Sequence, residues 1–489
     1  MNDESNSVDS IRSPYDGRVV GEMPVASDRD IEAAVVAAQR GFQVMRKLPR
    51  FMRADILCRA SEILRSRKEE AARLISSEAG KPLFDSRGEV ARAIFNLANA
   101  AAEARRFAGE EVPLDMDAGI FEYQTTGEGG ARIKLNAADI DQLQAGSRRI
   151  GIARRFPIGP ILAIAPFNFP LNLVLHKVAP ALASGNSVVL KPAPQTPLTS
   201  VLLAEILKEA GLPDGAFSVV HCPVDLAEKM VKDDRFEMVT FTGSAKVGWH
   251  IKSIAGRKRV ALELGGNAAV IVCKDADLNL AANRCVRGGV VYGGQYCIGV
   301  QRILAEGPVF EEFRSLLTQK TAACTVGDPG AEGIDVGPVI DERSAIRVQS
   351  WVDAAKAAGA SVLTGGTRDG AVVQPTVLTN TRAGMMIEDE EVFGPVLTIN
   401  PFTSFGDAIT RANATRYGLQ GGMFTNDLRR AFQALEDWDV GGLMVNDVPI
   451  YRIDNMPFGG WKESGVGREG TRYAMQEMTE IKHLVINYN

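Results

Sequence analysis

The sequence has 489 residues, 45% of them hydrophobic and 24% charged, which is ordinary globular composition and excludes a collagen-like, disordered or membrane-spanning chain. The length predicts about three domains or subdomains. The 55 basic and 60 acidic residues give a net charge of −5, which offers no electrostatic footprint for a phosphate backbone, so we expect no nucleic-acid partner.

The cysteines and histidines show none of the spacings of a metal site or a disulfide framework. No two of the six cysteines form a C-x-x-C pair, and the four histidines are scattered. We therefore expect reduced thiols, no metal ion and a cytoplasmic location, and the acidic amino-terminal segment lacks the features of a secretory signal. Residues 156–175 form an uncharged run of 20 residues, but four prolines interrupt it. That run predicts a strand and a turn into a helix, and we expect no membrane association.

In chain order, the first predicted elements are helices. Residues 28–110 carry apolar side chains at helical spacing and predict two or three long helices. Residues 116–148 contain few large apolar side chains and predict a long surface hairpin or a mobile insertion. After residue 150 the chain alternates β-rich and helical patterns. The predicted strands are Ile161–Ala165, Ser187–Leu190, Phe217–His221 and Met238–Phe241, and the predicted helices are 171–183, 197–209, 224–232 and 245–255.

This alternation predicts an α/β fold with a doubly wound, Rossmann-like parallel sheet. A second α/β series follows from about 273 to 450. Ligands of such sheets bind at the carboxyl ends of the strands, so chemistry should be sought in the segments that follow each strand.

Two such segments carry a polar side chain with two interpretations each. Asn168 follows the first strand and either donates a hydrogen bond to a developing oxyanion or caps the next helix. Lys191 ends the second strand and either binds a ribose or phosphate or is a solvated lysine beside turn prolines.

Two later segments contain glycines at strand ends. In residues 241–248, Gly243 and Gly248 flank the start of a helix, whose free N–H groups suit a pyrophosphate, although a simple helix start explains them equally well. Glu263 precedes two glycines, and partial burial would raise its pKa and suit it to general-base work. The alternative is a structural, hydrogen-bonded glutamate.

Cys297 lies among three glycines, in residues 292–299. A free cysteine is most often an inert small hydrophobe. A cysteine exposed on a glycine-rich turn differs, because backbone N–H groups can reach both a thiolate and an oxyanion formed beside it. Residues 465–470 match G-x-G-x-x-G but follow no apolar strand, so they do not predict a dinucleotide fingerprint. Ser464 lacks the context of a nucleophile elbow.

Together, the order and spacing of these motifs resemble the aldehyde dehydrogenase superfamily over nearly the whole chain. The resemblance rests on Pro166-Phe-Asn-Phe-Pro170, Lys191-Pro192, Phe241-Thr-Gly-Ser244, Glu263-Leu-Gly-Gly266, Gly294-Gln-Tyr-Cys297, Glu391-Val-Phe-Gly-Pro395 and Pro457-Phe-Gly-Gly460. It implies a Rossmann-like cofactor domain (1–115 and 160–268), an α/β catalytic domain (269–459) and a small β oligomerisation element (116–159 and 476–489). It also implies a homodimer or homotetramer.

The resemblance further implies roles for single residues. Cys297 would be the nucleophile, Asn168 and the Cys297 N–H the oxyanion hole, and Glu263 the general base. Lys191 and Glu391 would hold the ribose hydroxyls. The other implied cofactor contacts are Gly243, Ser244, Gly248, Leu264, Gly265, Phe393, Ala165, Pro166 and Phe167.

The implied activity is oxidation of a small polar aldehyde to its acid through a cysteine thiohemiacetal and thioester, with hydride transfer to NAD(P)+. The alternatives are a fold-sharing acyl-phosphate or CoA-acylating reductase, or a catalytically silent homologue. Pro194 stands where many NAD-preferring relatives have a glutamate, so NAD and NADP both remain open, with only a slight preference for NAD.

The motifs look most like the lactaldehyde, glyceraldehyde and phosphonoacetaldehyde branch, whose substrates are short and polar. Arg452, and Arg105 or Arg106, could pair with an anionic substrate group, or each could be a surface arginine. Tyr296, rather than an arginine, precedes the nucleophile, which makes a phosphorylated substrate less expected.

Overall fold

The computed structural model describes residues 7–114 and 149–488, and three sheets of six, seven and three strands organise them. The hairpin or insertion predicted at 116–148 lies outside the described residues.

The described chain begins with a hairpin and a layer of helices. Their bounds are β1 (Val8–Arg12), β2 (Val19–Pro24), α1 (Asp28–Met45), α2 (Arg50–Ser66), α3 (Lys68–Ala79) and α4 (Leu83–Arg106). The prediction of two or three helices is therefore wrong, because this region contains four. Two of the three breaks between them are very short: one at Arg67, and one that begins at Gly80, whose φ of 66° ends α3. Only glycine adopts that left-handed conformation at little cost.

Two strands of the small sheet and then the first large sheet follow. The bounds are β3 (Glu110–Val112), β4 (Arg149–Pro157), β5 (Pro160–Ile164), α5 (Asn172–Ser184), β6 (Ser187–Lys191), α6 (Leu198–Glu209), β7 (Phe217–Val219), α7 (Val224–Lys232), β8 (Met238–Thr242), α8 (Ala245–Ile254) and β9 (Arg259–Glu263). The four strands and four helices predicted here are confirmed, with ends that differ by one or two residues. Each strand is short because a proline, a glycine or a helix cap follows it.

The strands and helices of the second large sheet follow, between Ala268 and Val445. The bounds are β10 (Ala268–Val272), α9 (Leu278–Val290), β11 (Val300–Glu306), α10 (Gly307–Ala322), α11 (Glu342–Ala357), β12 (Ser361–Thr364), β13 (Arg368–Asp369), β14 (Val372–Val373), β15 (Thr376–Thr379), α12 (Met386–Asp389), β16 (Val396–Phe402), α13 (Phe405–Asn413), β17 (Tyr417–Gly418), β18 (Gln420–Phe424), α14 (Leu428–Asp437) and β19 (Gly442–Val445). This confirms the second α/β series.

The carboxyl-terminal elements return to the earlier sheets. Their bounds are β20 (Trp461–Lys462), β21 (Gly465–Val466), α15 (Thr471–Glu477) and β22 (Thr479–Asn487). Strand β21 pairs antiparallel with β9, with Gly465 opposite Glu263. Strand β22 pairs antiparallel with β4 along its whole length and forms one edge of the three-stranded sheet.

The first large sheet has the order β21-β9-β8-β5-β6-β7 and is parallel from β9 to β7. From β5 the chain moves outward through β6 and β7, and then crosses to the other side of β5 to form β8. The order therefore reverses between β5 and β8, which is where doubly wound sheets bind their ligands.

The second large sheet has the order β12-β15-β16-β11-β10-β18-β19, and only the pairing of β12 with β15 is antiparallel. Separate clusters of buried aliphatic side chains lie on the faces of both large sheets. In the described ranges, no helix is both long enough and apolar enough to cross a bilayer.

Candidate active site

The loop that carries Cys297 has an unusual backbone. After α9, a single 3-10 turn (Val291–Gly294) gives Tyr292, Gly293 and Gly294 φ angles of 48°, 60° and 71°. A β-carbon on Gly294 would overlap the carbonyl group of Gly394, so only glycine fits there. Cys297 follows this turn by three residues and is half-buried.

Asn168 faces this cysteine loop. Its side chain is buried, and Nδ2 donates a hydrogen bond of 2.9 Å to the carbonyl oxygen of Gln295. No side chain caps α5 at its N-cap residue, Leu171, so the alternative that Asn168 caps this helix is wrong. A primary amide has two N–H groups, so one remains for a ligand after the bond to Gln295.

The Cys297 thiol is in a strongly desolvated setting. Burial, followed by the nearby charge of Glu391, raises its pKa to about 12, although Arg452 acts in the opposite direction. Cys297 is thus half-buried rather than exposed, and its raised pKa favours the protonated thiol. A base or a bound cation must act on the thiol before it becomes a nucleophile.

Glu263 ends β9 and is buried, with Oε2 making no hydrogen bond to any described residue. Burial raises the pKa of this carboxyl well above its usual value, and the neighbouring charge of Glu469 adds to the rise. The expected burial and raised pKa are both present in the structure. An unpartnered carboxyl oxygen with a raised pKa suits proton transfer near neutral pH.

A buried ionic cluster next to Glu263 was not predicted. Lys177 Nζ donates to Glu469 Oε1 over 3.0 Å, and Arg452 Nη2 donates to Glu469 Oε2 over 3.2 Å. Burial alone would raise the pKa of Glu469, but the charges of Lys177 and Arg452 outweigh it and lower that pKa to about 2. The carboxylate of Glu469 is therefore charged at neutral pH.

The cluster continues through His176 to Asp454. A guanidinium group can only donate, so the 3.1 Å contact between Arg452 Nη2 and His176 Nδ1 makes Nδ1 the acceptor. His176 Nε2–H then donates to Asp454 Oδ1 over 2.8 Å, and burial lowers the pKa of His176, which keeps the ring neutral. Two nitrogens of Arg92 also bind Asp454.

These contacts test the three predicted substrate arginines. Arg105 pairs with Asp55, and Arg106 pairs with Glu103, at the carboxyl end of α4, which contradicts a role for either in binding substrate. Arg452 does lie by the site, but it is buried and bound to Glu469 rather than at the surface.

The missed residues had no local signal. Arg92, His176, Lys177, Asp454 and Glu469 come from two helices and from loops about 300 residues later in the chain. Glu469 lies in the G-x-G-x-x-G segment (465–470), which the sequence did not predict to be a dinucleotide fingerprint. The segment's actual contribution is this glutamate.

The cofactor residues expected from the resemblance surround the reversal point between β5 and β8. Lys191 is buried at the end of β6, burial lowers its pKa, and among the described residues no carboxylate pairs with it. The N–H of Ala165 donates to the Lys191 carbonyl oxygen over 3.1 Å, which places Pro166 beside the lysine. A buried, unpaired ammonium is costly without a ligand.

On the other side of this point, glycine is needed for steric reasons. A β-carbon on Gly248 would overlap Leu264, and one on Gly265 would overlap the Glu391 carboxylate. Gly243 donates from N–H to the Glu263 carbonyl oxygen over 3.0 Å, and the next residue, Ser244, caps α8.

Glu391 and two aromatic rings complete this side. Glu391 Oε1 accepts a 2.9 Å hydrogen bond from the Gly266 N–H, and burial raises the pKa of Glu391 to about 7. The rings of Phe167 and Phe393 meet edge to face, with centroids 5.8 Å apart, although Phe393 has a φ of 47°. The two rings form an apolar wall next to the glutamate.

Comparison with known proteins gives the same picture. The model of the aldehyde dehydrogenase family matches residues 1–484. The 3-sulfolactaldehyde dehydrogenase of Priestia aryabhattai is 40% identical over 478 residues, which cover 98% of this chain and 94% of that protein. The crystal structure of aldehyde dehydrogenase 21 from Physcomitrella patens, in complex with the reaction product succinate, superposes with a TM-score of 0.92 at 39% identity and covers 99% of this chain and 96% of that one.

A third relative is the glyceraldehyde-3-phosphate dehydrogenase GapN of Methanocaldococcus jannaschii, solved in complex with NADP. It superposes with a TM-score of 0.89 at 35% identity and covers 99% of this chain and 100% of that one. The family and the fold that the sequence motifs suggested are thus confirmed. The chain belongs to the aldehyde dehydrogenase family and is an NAD(P)-dependent oxidoreductase.

Proposed function

We propose that this dehydrogenase oxidises a short polar aldehyde that carries a terminal anionic group. The observation that supports this proposal is the unbalanced charge beside Cys297. Three cations, Arg92, Lys177 and Arg452, face only two carboxylates in the cluster, those of Asp454 and Glu469. With the histidine neutral and the general-base glutamate protonated, one positive charge is left for a substrate.

Two unsatisfied groups support the same proposal. Arg452 Nε is buried without a hydrogen-bond partner in the described residues, and so is Asn172 Oδ1 on the neighbouring helix. Arg92 uses two of its three nitrogens for Asp454. A carboxylate or sulfonate could accept from the free guanidinium donors, and a hydroxyl group could donate to the amide oxygen.

The test is a set of matched aldehydes assayed with both cofactors. We expect kcat/KM for 3-sulfolactaldehyde or succinic semialdehyde to exceed that of the uncharged analogues, lactaldehyde and butanal, by at least roughly tenfold, as one charge-assisted hydrogen bond would give. Equal values for charged and uncharged members of each pair would contradict the proposal.

The residues around β5 and β8 fit a nicotinamide dinucleotide. The unpaired Lys191 ammonium and the Glu391 carboxylate can each bind ribose hydroxyls, and the side chains missing at Gly243 and Gly265 leave the backbone open to close approach. When bound, NAD(P)+ supplies the acceptor for the hydride.

Cys297 and Asn168 are proposed to carry the first half of the reaction. The Cys297 thiol releases its proton to solvent, and Cys297 Sγ attacks the aldehyde carbon. The oxyanion that forms is held by the free N–H of the Asn168 amide and by the Cys297 N–H. Because both donors are fixed before the reaction, they stabilise the charge without reorganising.

Glu263 is proposed to carry the second half. Transfer of the hydride leaves a thioester on Cys297, and Glu263, once it has released its own proton to solvent, deprotonates the water that hydrolyses the thioester to the acid. Lys177 and Glu469 form a charged pair beside Glu263. The carboxyl group of Glu263 takes the proton from the water and then releases it.

We further propose a slight preference for NAD over NADP. Pro194, which follows Lys191 by three residues, is exposed and offers neither a carboxylate to repel nor a cation to attract a 2′-phosphate. Asp225 lies in the first turn of α7, and both its carboxylate and Lys191 act on the thiol of Cys222, so a negative charge lies on this side of the sheet. The ratio of kcat/KM for the two cofactors tests this.

For the assembly, we propose a homodimer or homotetramer formed through β22. This strand is at the edge of the small sheet, and its exposed apolar residues are Ile481, Leu484, Val485 and Ile486. An exposed apolar edge strand is a template for pairing with a second chain. Sedimentation of the purified protein measures the state directly.

We also propose the domain division 1–115 with 160–268, 269–459, and 116–159 with 476–489. Strands β4 and β22 of the three-stranded sheet lie in the third unit, whereas β3 of the same sheet lies in the first. All six cysteines are free, which supports a reducing, cytoplasmic setting.

A further inference from the structure

Lys81 forms a fully buried ion pair directly beneath the proposed active site. It lies in the short turn between α3 and α4, has no exposed surface, and binds Glu89, which is equally buried on α4. Burying two charges is costly, and such pairs are weak stabilisers compared with apolar side chains of the same size. The location of this pair therefore needs a reason other than stability.

The ammonium group of Lys81 contacts one aromatic ring from each of the two catalytic loops. Its Nζ lies 3.6 Å from the ring centroid of Phe169 and 4.7 Å from that of Tyr292. Phe169 follows Asn168 directly, and Tyr292 opens the turn that leads to Cys297. Cation–π attraction favours this arrangement, so one buried charge joins the two loops.

The Glu89 carboxylate fixes the far end of the Asn168 loop. Its Oε1 accepts hydrogen bonds from the N–H groups of Leu171 and Asn172, at 2.9 and 3.1 Å, in the first turn of α5. Its other oxygen binds Lys81. The loop is thus held at Phe169 by the lysine and at Leu171 by the glutamate, on either side of a single residue, Pro170.

The cysteine loop is held from the same turn. Tyr292 has a φ of 48°, a conformation that costs energy for a residue with a side chain, and its hydroxyl donates to the Ala79 carbonyl oxygen over 2.8 Å. Such strain persists only where the surroundings impose it. The contacts from Ala79 and Lys81 provide that constraint.

We propose that the Lys81–Glu89 pair is a positioning device, which sets the Asn168 amide at the correct distance from the Cys297 loop for oxyanion binding. Neither residue touches the substrate. The proposal rests on the proposed roles of Asn168 and Cys297, and it adds the group that holds the two loops in register.

The test compares Lys81→Met, the double variant Lys81→Met/Glu89→Gln, and Lys81→Arg. The double variant removes both charges and so avoids an unpaired buried carboxylate, which would threaten folding of the single variant. The matched control is Glu306→Gln, which breaks the ion pair with Arg430 on the outer side of the second sheet. Folding is checked by thermal melting and circular dichroism.

We expect the double variant to lower the single-turnover rate of hydride transfer by at least roughly tenfold, a fraction of the 10²- to 10³-fold effect of losing one oxyanion donor. KM for the aldehyde should change less than threefold. Lys81→Arg should recover part of the rate, and Glu306→Gln should leave it unchanged.

Combination with Asn168→Ala gives the decisive measurement. If the pair acts through Asn168, its removal should cost almost nothing in the Asn168→Ala background, because the group that it positions is already gone. Additive effects, or a folded double variant with the full rate, would overturn the proposal. If Asn168→Ala alone leaves the rate intact, the proposed function fails instead.

Discussion

Arg452 stacks its guanidinium group on the ring of Phe458, 3.5 Å from the centroid, while the same group donates to Glu469. Phe458 belongs with Cys297 to one apolar cluster, so this arginine is held near the Cys297 sulfur and is not a mobile surface cation. Its position makes the preference for anionic substrates testable with one substitution.

Replacement of Arg452 by Gln should raise KM for an anionic aldehyde at least roughly tenfold, because a charge-assisted hydrogen bond of about 1.5 to 3 kcal/mol is lost. The kcat/KM for the matched uncharged aldehyde should fall much less. Steady-state kinetics with both aldehydes measures the difference. Arg105→Gln is the control: it removes an exposed arginine bound to Asp55 and should change neither value twofold. An equal fall in kcat/KM for the anionic and the uncharged aldehyde would mean that Arg452 acts through Glu469 and not on the substrate.

Asn168→Ala should lower kcat by roughly 10²- to 10³-fold, the usual effect of losing one oxyanion donor, with little change in KM. The side chain also bonds to Gln295, so the melting temperature must be measured alongside the rate. A variant that melts normally but turns over at the original rate would exclude Asn168 from the oxyanion hole.

Glu263→Gln should slow release of the acid more than hydride transfer, because the base is needed chiefly to activate the hydrolytic water. Rapid mixing with aldehyde and NAD+ should then show a burst of NADH close to the enzyme concentration, followed by a slow steady state. Cys297→Ala, which lacks the proposed nucleophile, should give neither phase. A Glu263→Gln enzyme without a burst would place the main role of the base before hydride transfer.

Glu78 predicts a pH dependence of stability. Burial raises its pKa to about 7 from an ordinary 4.5, although its bonds to Thr199 and Leu198 oppose the rise. The folded chain thus keeps a proton that the unfolded chain has released. The contribution is complete below pH 4.5 and is lost as the pH rises through 7, a change of roughly 3 kcal/mol at most.

We therefore expect the melting temperature of the unmodified protein to fall more between pH 5 and pH 8 than that of Glu78→Gln, which cannot titrate. Burial also raises the pKa of Glu391 to about 7. Because Glu391 is present in both proteins, its effect on the melting temperature cancels in this comparison. Parallel melting curves over this range would show that Glu78 does not titrate near 7.

The sequence predicted the first large sheet well because each strand there is a short apolar run ended by proline, glycine or a capped helix, and all of these signals are local. Asn168 and Lys191 became candidates for the same reason, since Asn168 follows a strand and Lys191 ends one. The helical layer was less clear, because breaks of one to three residues at Arg67 and Gly80 leave the apolar spacing almost intact.

The ionic cluster could not be predicted from local patterns. Arg92 and Arg105 lie on the same helix, but 13 residues at 1.5 Å each separate them by roughly 20 Å, and only the nearer one reaches the site. Choosing between them requires knowing where α4 crosses α5. His176 and Asp454 are 278 residues apart, and only the folded chain pairs them.

The pairing of β21 with β9 has a consequence for how the protein is made. Five strands of the first sheet come from residues 160–263, but the sixth, which leads to Glu469, comes from 465–466, after all of the second sheet. During synthesis, the first sheet must therefore wait with an open edge beside Glu263 until the second sheet has been translated. Such late, long-range closure is slow and exposes an unpaired edge. A nascent chain that stops before residue 465 would contain Glu263, but it would lack both the strand that pairs beside it and the charged Glu469.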